Sequence, residues 1–314
     1  CLKSDIVVEN FKVGTMKSMG LSYEELSTEN PSLIMASISG FGQNGPASKW
    51  PGFDHIAQGY SGLMSITGDE KSGPMRVGTA VGDMTAGMWL VIGIMAALVE
   101  RTKTGLGQHV DTSLLSSLIA LLSVNGQRYL SLQDVPGGTG NNHPVIAPYG
   151  VFEAADGPLN LAPATQDMWE RLCKILNQEH LITDKRFLTN AERMEYRLEL
   201  KEELEKKLKL KTRSEWTELL INQGIPAGPI NNLKDVFNDP QVKASKLTVE
   251  VKHEVIGEFP QVRTPINFSS HQEEFTSLPP PQLGQHSVNI LKEYGLSSDE
   301  IDNLLSNKII LSQD

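Results

Sequence analysis

The run Val77-Gly78-Thr79-Ala80-Val81-Gly82-Asp83 is followed at once by an uncharged, mostly apolar stretch from Met84 to Val99. This pattern predicts a glycine-rich turn that leads into a long helix from Met84 to about Glu100, with Asp83 at the start of the helix. Asp is a common N-cap, because its side chain accepts hydrogen bonds from the first-turn N–H groups. The small neighbours also clear space around the carboxylate, as a group that attacks a large substrate requires. The residues alone leave both roles of Asp83 open.

The apolar stretch from Met84 to Val99 is shorter than the roughly 18–20 apolar residues that a membrane span requires. We therefore expect a helix that lies in the core of a globular domain and is buried on all of its sides. We expect no membrane partner. No signal or transit peptide is recognised in the sequence. The first strand-like run begins at Ile6, so we also expect that a natural fold of this kind has residues upstream of Cys1.

Composition narrows the possible partners and chemistry. The chain has 314 residues, with 28 Lys and Arg against 38 Asp and Glu, for a net charge of −10. An acidic balance of this size argues against a nucleic-acid surface. Cys1 and Cys173 are too few for a disulfide framework or a four-cysteine zinc site. No His-Glu-x-x-His motif or close Cys/His spacing is present, so we expect no metal.

Strand and helix patterns alternate through the first part of the chain. This alternation predicts an α/β fold, with a Rossmann-like, mostly parallel sheet covered by helices on both faces. A loop rich in glycine and asparagine, from Pro136 to Pro144, marks a change of composition. We therefore predict three regions: a large α/β domain over 1–135, a smaller α+β domain over 136–245, and a connector with a C-terminal return to the large domain over 246–314.

In the smaller predicted domain, the residues around Asp156-Gly157 indicate a hairpin, with strands at Gly150–Glu153 and Leu159–Ala162. Charged helices are predicted to follow it. Trp169 and Trp216 are expected in the core of this domain rather than in a cofactor site.

Several motifs together resemble the class III CoA-transferase family, which also includes α-methylacyl-CoA racemase. They occur in family order along nearly the whole chain. In this sequence they are Glu9-Asn10-Phe11 with Gly14, Gly20-Leu21, Ser39-Gly40-Phe41-Gly42, Pro51-Gly52-Phe53-Asp54, Gly82-Asp83, Gly105-x-Gly107-Gln108-x-Val110-Asp111 with Ser113, Gly140-Asn141 through His143-Pro144 to Ala147-Pro148-Tyr149, and Gly224-Ile225-Pro226-Ala227-Gly228-Pro229.

The resemblance implies an enzyme in which Asp83 is the catalytic nucleophile. The strongest similarity is to family members that move CoA from succinyl-CoA to dicarboxylic acids such as glutarate, through an aspartyl anhydride and an aspartyl-CoA thioester. It implies no cofactor, because the CoA thioester is itself a substrate. The N-terminus of the helix behind Asp83 is expected to keep the carboxylate ionised.

The resemblance also implies that Asn10, Phe11 and Met19 bind the nucleotide end of CoA, although core packing would equally explain Phe11 and Met19. Before Met19 a relative has an arginine where this chain has a serine. The positive charge for the CoA phosphates is therefore expected from Lys12 or Lys17, or the contact is missing.

A substrate pocket is implied around Asp83, formed by Phe53, Asp54, Arg76, Gly138 and Gly140. Backbone N–H groups of the glycine loop are candidates for an oxyanion site, and a flexible connector is the alternative. Arg76 is a candidate partner of the distal carboxylate of the substrate, with a surface ion pair as the alternative. For Asp54 the alternatives are orientation of groups near the nucleophile and a capping or exposed acid.

Two other functions are weighed against transfer. Family racemases place a proton-shuttling histidine thirty residues before the acid, where this chain has Phe53. His55 lies two residues further, which on a helix turns it by about 200°. A truncated, non-catalytic CoA-binding subunit is the second alternative. The resemblance further implies an interlaced homodimer in the mitochondrial matrix, with a βα segment upstream that this sequence lacks.

Overall fold

The computed structural model describes residues 1–270 and 278–312. The chain divides into two compact units, Cys1–Pro229 and Ile230–Asp314. The three regions predicted from the sequence, with boundaries after residues 135 and 245, stay a prediction. The strands are β1 Ile6–Glu9, β2 Ile34–Ser39, β3 Gly68–Asp69, β4 Gly73–Pro74, β5 His109–Ser113, β6 Gly150–Ala154, β7 Gly157–Leu161, β8 Ala227–Pro229, β9 Thr248–His253 and β10 Gly257–Val262.

The helices are α1 Thr15–Ser18, α2 Tyr23–Glu29, α3 Asp54–Tyr60, α4 Val81–Thr104, α5 Leu114–Leu132, α6 Gln166–Ile175, α7 His180–Thr183, α8 Asn190–Glu195, α9 Arg197–Leu208, α10 Arg213–Asn222, α11 Leu233–Asn238, α12 Pro240–Ala244, α13 Ser287–Glu293 and α14 Ser298–Ser306. A 3-10 helix spans Leu63–Ile66.

The first sheet of unit Cys1–Pro229 is parallel, in the order β1-β2-β5. Its central strand β2 is almost wholly buried, because both of its faces are covered. Val110 of β5 lies against Gly93 of α4 on one face, and His109 stacks on Tyr23 of α2 on the other. Alternate side chains of one strand therefore meet helices on opposite faces. The predicted α/β class, with a parallel sheet, is confirmed.

Helix α4 extends further than the sequence predicts, starting at Val81 and ending at Thr104, where Gly105 adopts a left-handed C-cap with φ 73°. Its length and composition alone would suffice to cross a membrane, with a mean hydropathy of 1.7 over 18 residues. The core helix of a soluble protein has the same length and composition, and the absence of a membrane partner stays a prediction.

The prediction that this helix is buried on all sides is wrong, since 28% of that apolar window is buried. The side of α4 that faces the sheet and α5 is covered, and it includes Ala86 and Leu90. The opposite side is exposed although it is apolar, and Trp89, Ile92 and Met95 lie there. A continuous apolar run has no polar face, so the sequence did not distinguish the two sides.

A second core lies in the same unit. Strands β6, β7 and β8 form an antiparallel sheet, and β6 and β7 are the predicted hairpin, paired from Gly150↔Leu161 to Ala154↔Gly157. Helices α6, α9 and α10 contribute apolar side chains to this core, and Trp169 and Trp216 are buried in it as expected. Trp216 donates its indole N–H to the carbonyl oxygen of Leu208 at 2.7 Å.

Unit Ile230–Asp314 contains the antiparallel pair β9–β10 and the helices α11 to α14. The predicted return of the C-terminal segment to the large domain stays a prediction. Part of the predicted connector, residues 271–277, lies outside the described residues.

Candidate active site

The candidate site lies at the edge of the parallel sheet where the strands end. Helix α4 leads into β5 and therefore runs against the strands, so its N-terminus lies at their carboxyl ends, the edge at which open α/β sheets bind ligands. Asn10 follows β1 at the same edge. Since strands are about 4.8 Å apart and β2 lies between β1 and β5, the carboxyl ends of β1 and β5 are about 10 Å apart.

Asp83 is the third residue of α4, and its side chain is exposed. The N-cap of this helix is Ala80, which has no side chain able to accept a hydrogen bond. The sequence left two roles open for Asp83, and the structure excludes the role of N-cap. Its carboxylate is accessible to a substrate.

Two causes raise the pKa of Asp83 above the usual value of an aspartate. The first is partial desolvation by neighbouring atoms, and the second is the negative charge of Asp54. Both causes oppose the expected effect of the helix N-terminus, which is to keep the Asp83 carboxylate ionised. The N–H group of Gly82 donates to Asp54, so this first-turn donor is not available to Asp83.

Asp54, the first residue of α3, accepts two short hydrogen bonds. Its Oδ1 accepts from the backbone N–H of Gly82 at 2.7 Å, and its Oδ2 accepts from Nε2 of Gln58 at 2.7 Å. Gln58 is fully buried, and its Oε1 accepts from the backbone N–H of Val77 at 2.8 Å. Sequence reasoning missed Gln58, and the signal that was available is its i,i+4 spacing from an acidic residue on a short helix.

Phe53 and Arg76 lie on either side of this pair in the chain. Phe53 is the N-cap of α3, and its side chain is 78% exposed. The guanidinium of exposed Arg76 donates to the carbonyl oxygens of Val77 at 3.1 Å and Gly78 at 3.4 Å. Arg76 therefore lies on the turn that leads to Asp83, and no ion pair of its side chain is found among the described residues.

The glycine loop packs closely on β3. The N–H of Gly140 donates to the carbonyl oxygen of Gly68 at 2.6 Å. A Cβ at Gly138 would collide with that same oxygen, so a larger residue does not fit there. Because the Gly140 N–H already has an acceptor, it does not serve as an oxyanion donor in this arrangement.

A large cavity lies beside β1, and its lining includes neighbours of the predicted nucleotide-binding residues in the chain but not Asn10, Phe11 or Met19 themselves. Phe11 and Met19 are about half exposed, so neither is a core residue. The cavity measures about 790 Å³, and Lys12 and Lys17 both line it. Its walls include Ser37 and His109, whose side chains lie on the sheet face away from α4. Asp83 and the rest of the 77–83 segment are not among the residues that line this cavity.

Metal and thiol chemistry have little basis in the described residues. Within 1–270 and 278–312, no group of three or more His, Cys, Asp or Glu side chains is arranged to hold a metal ion. The predicted absence of a metal stays a prediction. Burial raises the pKa of the Cys173 thiol to about 12, so this cysteine stays protonated and is not a nucleophile.

Comparison with known proteins identifies the class to which this parallel sheet with an exposed aspartate at its carboxyl edge belongs. The model of CoA-transferase family III matches residues 2–287, so the chain belongs to that family. It is an enzyme that transfers CoA, and the enzymes of this class use CoA thioesters as substrates.

Individual relatives are similar over most of the chain. The succinate–glutarate CoA-transferase of Agrobacterium fabrum is 40% identical over 291 residues, which are 92% of this chain and 72% of that protein. The human succinyl-CoA:glutarate CoA-transferase is 37% identical over 307 residues, covering 98% of this chain and 70% of its own length. A crystal structure of a CaiB/BaiF family protein from Brucella suis is similar with a TM-score of 0.83 at 37% identity, over 93% of this chain and 76% of that one.

Proposed function

We propose that this enzyme moves CoA from succinyl-CoA to glutarate, or a similar dicarboxylic acid, through covalent intermediates on Asp83. The observation that supports it most is the exposed Asp83 carboxylate at the carboxyl edge of the sheet in a family III CoA-transferase. The two acids are supported by the names of the relatives from Agrobacterium and human.

In the first half-reaction, an ionised oxygen of Asp83 attacks the thioester carbonyl carbon of succinyl-CoA. The C–S bond breaks, and CoA leaves as a thiolate with the bonding electron pair, so a mixed succinyl–aspartyl anhydride remains. The thiolate then attacks the aspartyl carbonyl carbon of that anhydride, and cleavage of the C–O bond releases succinate. The enzyme now carries an aspartyl-CoA thioester, so that one difficult exchange is divided into easier steps.

The second half-reaction reverses these steps with the acceptor acid. A glutarate carboxylate attacks the aspartyl thioester carbonyl, and the CoA thiolate leaves, which gives a glutaryl–aspartyl anhydride. The thiolate attacks the glutaryl carbonyl carbon, glutaryl-CoA forms, and Asp83 leaves as a carboxylate. No redox change occurs and water is not consumed, so a resident cofactor or metal is not required by the chemistry.

The nucleotide end of CoA is proposed to bind beside β1. Lys12 and Lys17 line the same cavity and provide positive charge for the phosphates, in place of the arginine of a relative. Asn10, Phe11 and Met19 would contact the adenine and ribose, and the exposed ring of Phe11 offers a surface for stacking. Phe53, Gly138 and Gly140 remain part of the proposed substrate pocket.

Covalent trapping tests the proposal. The protein is incubated with succinyl-CoA, quenched in acid and digested, and the peptide that carries Asp83 is expected to gain the mass of a CoA thioester or a succinyl group. Hydroxylamine is expected to convert the activated Asp83 carbonyl to a hydroxamate. The Asp83→Ala variant is expected to fold, to give no adduct and to lose exchange. Turnover by that variant, or an adduct on another residue, would remove Asp83 from the mechanism.

Acceptor specificity is tested by exchange from succinyl-CoA to glutarate, 3-hydroxymethylglutarate, oxalate and carnitine. The proposal expects the dicarboxylates of glutarate length to be preferred. Retained CoA binding without adduct or exchange would instead indicate a non-catalytic CoA-binding subunit. Racemase activity is not proposed, since the exposed Phe53 side chain has no proton to exchange, and His55 makes no hydrogen bond with Asp83 among the described contacts.

We also propose that the enzyme is a homodimer and acts in the mitochondrial matrix. The dimer is supported by the exposed apolar side of α4, because monomeric proteins rarely leave a contiguous apolar surface of this kind uncovered. The location rests on the family resemblance alone, and subcellular fractionation with an antibody to this chain tests it.

A further inference from the structure

Helix α4 begins without a cap of its own. The first N–H groups of a helix lack acceptors within the helix, and a side chain usually supplies one. The N-cap residue Ala80 has no side-chain acceptor, and the acceptor for the Gly82 N–H comes from another helix, as Oδ1 of Asp54 at 2.7 Å. The first turn of α4 therefore depends on a contact with α3.

Gln58 extends this contact to the other end of the turn. Its side-chain amide donates to Oδ2 of Asp54 at 2.7 Å, and its Oε1 accepts from the N–H of Val77 at 2.8 Å. Gln58 is fully buried, so water does not replace these bonds. One turn of α3 thus holds both Val77 and Gly82, the two ends of the segment that delivers Asp83.

The packing at Gly82 is tight. A Cβ at this residue would lie 3.0 Å from Oδ1 of Asp54 and 3.1 Å from Cδ1 of Leu118. The backbone of the first turn is therefore pressed against Asp54 on one side and against α5 on the other. Both carboxylate oxygens of Asp54 are engaged with protein groups, and this points away from the substrate contact that the sequence suggested for it.

We propose that Asp54 and Gln58 are positioning residues for CoA transfer, which fix the 77–82 segment and so the direction in which Asp83 presents its carboxylate. The inference rests on the proposed nucleophilic role of Asp83. Neither residue touches the substrate. Their effect is on the geometry of attack, where a misplacement of about 1 Å costs about 100-fold in rate. The charge of Asp54 has a second effect, because it raises the pKa of Asp83 and makes that carboxylate more basic.

The test uses variants that break the pair and one that re-forms it. In Asp54→Asn, the new amide group faces the amide of Gln58, so two donors oppose each other. In Gln58→Glu, two carboxylates face each other. In the double variant, the amide introduced at position 54 is placed to donate to the carboxylate introduced at position 58, whose second oxygen accepts from the N–H of Val77. The bonds that join positions 54, 58 and Val77 are then complete again with donor and acceptor exchanged, and the longer bond from the Gln58 amide to the carbonyl oxygen of Thr79 at 3.5 Å is lost.

The measurements are kcat and KM for succinyl-CoA, and the single-turnover rate at which the Asp83 adduct forms. We expect each single variant to lose about 100-fold in kcat with KM nearly unchanged, and the double variant to recover to within about tenfold of wild type. Gln58→Met is an uncharged replacement of similar length for use if the charged variants fail to fold. It lacks the bonds of the Gln58 amide to Asp54, Val77 and Thr79, and it is expected to lose kcat to the same extent. Asp184→Asn, an aspartate remote from the pair, is the matched control and is expected to keep its kcat.

The outcomes separate this inference from the proposed function. If wild type forms no adduct on Asp83, both fail. If wild type forms the adduct and Gln58→Met forms it at the same rate, the positioning role is overturned and the function stands. Variants that lose thermal stability but keep kcat per folded molecule would likewise overturn it, because they would reduce the pair to a structural contact.

Discussion

Asp54 caps a helix to which it does not belong, since its Oδ1 accepts the N–H of Gly82 at 2.7 Å across 28 residues of sequence. In most helices the cap comes from the residue just before the first turn. Here that residue is Ala80, and the acceptor comes from the next element that packs against the turn. The position of Asp83, one residue after Gly82, is therefore determined by tertiary structure.

We expect Gly82→Ala to weaken both stability and transfer. The added methyl group would lie 3.0 Å from Oδ1 of Asp54 and 3.1 Å from Cδ1 of Leu118, so one of them has to move. Overpacking of this kind costs about 1–3 kcal/mol of unfolding free energy. Gly87→Ala is the matched control on the same helix, because nothing lies within 4 Å of its added Cβ. It is expected to be neutral or to stabilise by about 0.5–1 kcal/mol. Chemical denaturation and the exchange rate provide the readouts, and equal behaviour of the two variants would contradict the cap.

The rate of transfer is expected to fall in acid at a higher pH than an ordinary aspartate would give. The attacking group is the ionised form, and the pKa of Asp83 is raised by desolvation and by the charge of Asp54 above the usual value of about 3.9. Protonation therefore removes the nucleophile as the pH falls through this raised pKa. In Asp54→Asn the charge is absent, so the acid limb of kcat/KM is expected to move to lower pH. His55→Gln, on the same helix, is the control, and an acid limb that stays in place in Asp54→Asn would contradict the assignment.

The same shift affects stability. A carboxyl whose pKa is raised on folding binds its proton more tightly in the folded protein, so its stabilising effect is present at low pH and is lost as the pH rises through the folded pKa. Asp83→Ala removes this dependence. Its melting temperature relative to wild type is therefore expected to be higher at pH 7 than at pH 4, and a constant difference between the two pH values would argue against a raised pKa.

Much of the fold can be predicted from local sequence patterns. The capping box of α2 is complete in the structure, with Ser22 and Glu25 bonded as their spacing indicates. The hairpin β6–β7 turns at Ala155-Asp156, directly before Gly157, and the parallel strands β1 and β2 follow apolar runs bounded by turn residues. Each of these features depends on residues a few positions apart, which is the range over which a single sequence is informative.

The features that could not be predicted from the sequence depend on contacts between residues far apart in the chain. The buried Gln58 joins Asp54 to Val77 across a turn, and no local pattern indicates which N–H a buried amide will meet. The approach of Gly138 to Gly68 is of the same kind, because a glycine in a loop indicates freedom without naming its neighbour. For α4, an apolar run with no polar side does not indicate which part of the helix is buried by the rest of this chain.

The buried Arg193 is expected to stabilise the second core of unit Cys1–Pro229 without affecting catalysis. The residue is only 4% exposed, and its guanidinium donates to the carbonyl oxygens of Ala147 at 2.8 Å and Phe187 at 3.0 Å. It also lies over the ring of Trp169 at 5.2 Å. Arg193→Lys keeps the charge but loses the fork of donors, so we expect a loss of about 2–3 kcal/mol in unfolding free energy.

The control for this variant is Arg186→Lys, since the Arg186 side chain pairs with Asp184 at the surface. Surface pairs contribute little, so its unfolding is expected to stay close to that of wild type. Both variants are expected to retain kcat per folded molecule. Equal denaturation midpoints for the two would contradict a structural role of the buried cation.

The exposed apolar side of α4 is expected to be the interface of the proposed dimer. Trp89→Glu or Ile92→Glu places a charge on that surface, and burying an unpaired charge opposes association. We expect the wild type to be a dimer by light scattering at micromolar concentration and both variants to be monomers. Leu198→Glu, an exposed apolar residue of α9, is the control and is expected to remain dimeric. Variants that keep the oligomeric state of wild type would exclude this side of α4 as the interface.

Arg76 is expected to bind the distal carboxylate of the dicarboxylic substrates. Its guanidinium lies on the turn before Asp83, where it donates to the carbonyl oxygens of Val77 and Gly78 and has room for a further acceptor at the exposed surface. A hydrogen-bonded ion pair with a carboxylate contributes about 1.5–3 kcal/mol, so Arg76→Ala is expected to raise the KM for glutarate by about 10- to 100-fold. Arg76→Lys retains the charge but not the forked pair of donors, and its KM for glutarate is expected to lie between those of wild type and Arg76→Ala.

A monocarboxylic acceptor separates this role from a structural effect on the turn. Pentanoate has the chain length of glutarate and lacks the second carboxylate, so its KM is expected to be the same for wild type and Arg76→Ala. If Arg76→Ala raises the KM for both acceptors equally, the loss of the bonds to Val77 and Gly78 explains the effect. Arg76 then stabilises the turn and does not bind the distal carboxylate. The ratio of the two KM changes therefore decides between the two roles without any assumption about how well the variant folds.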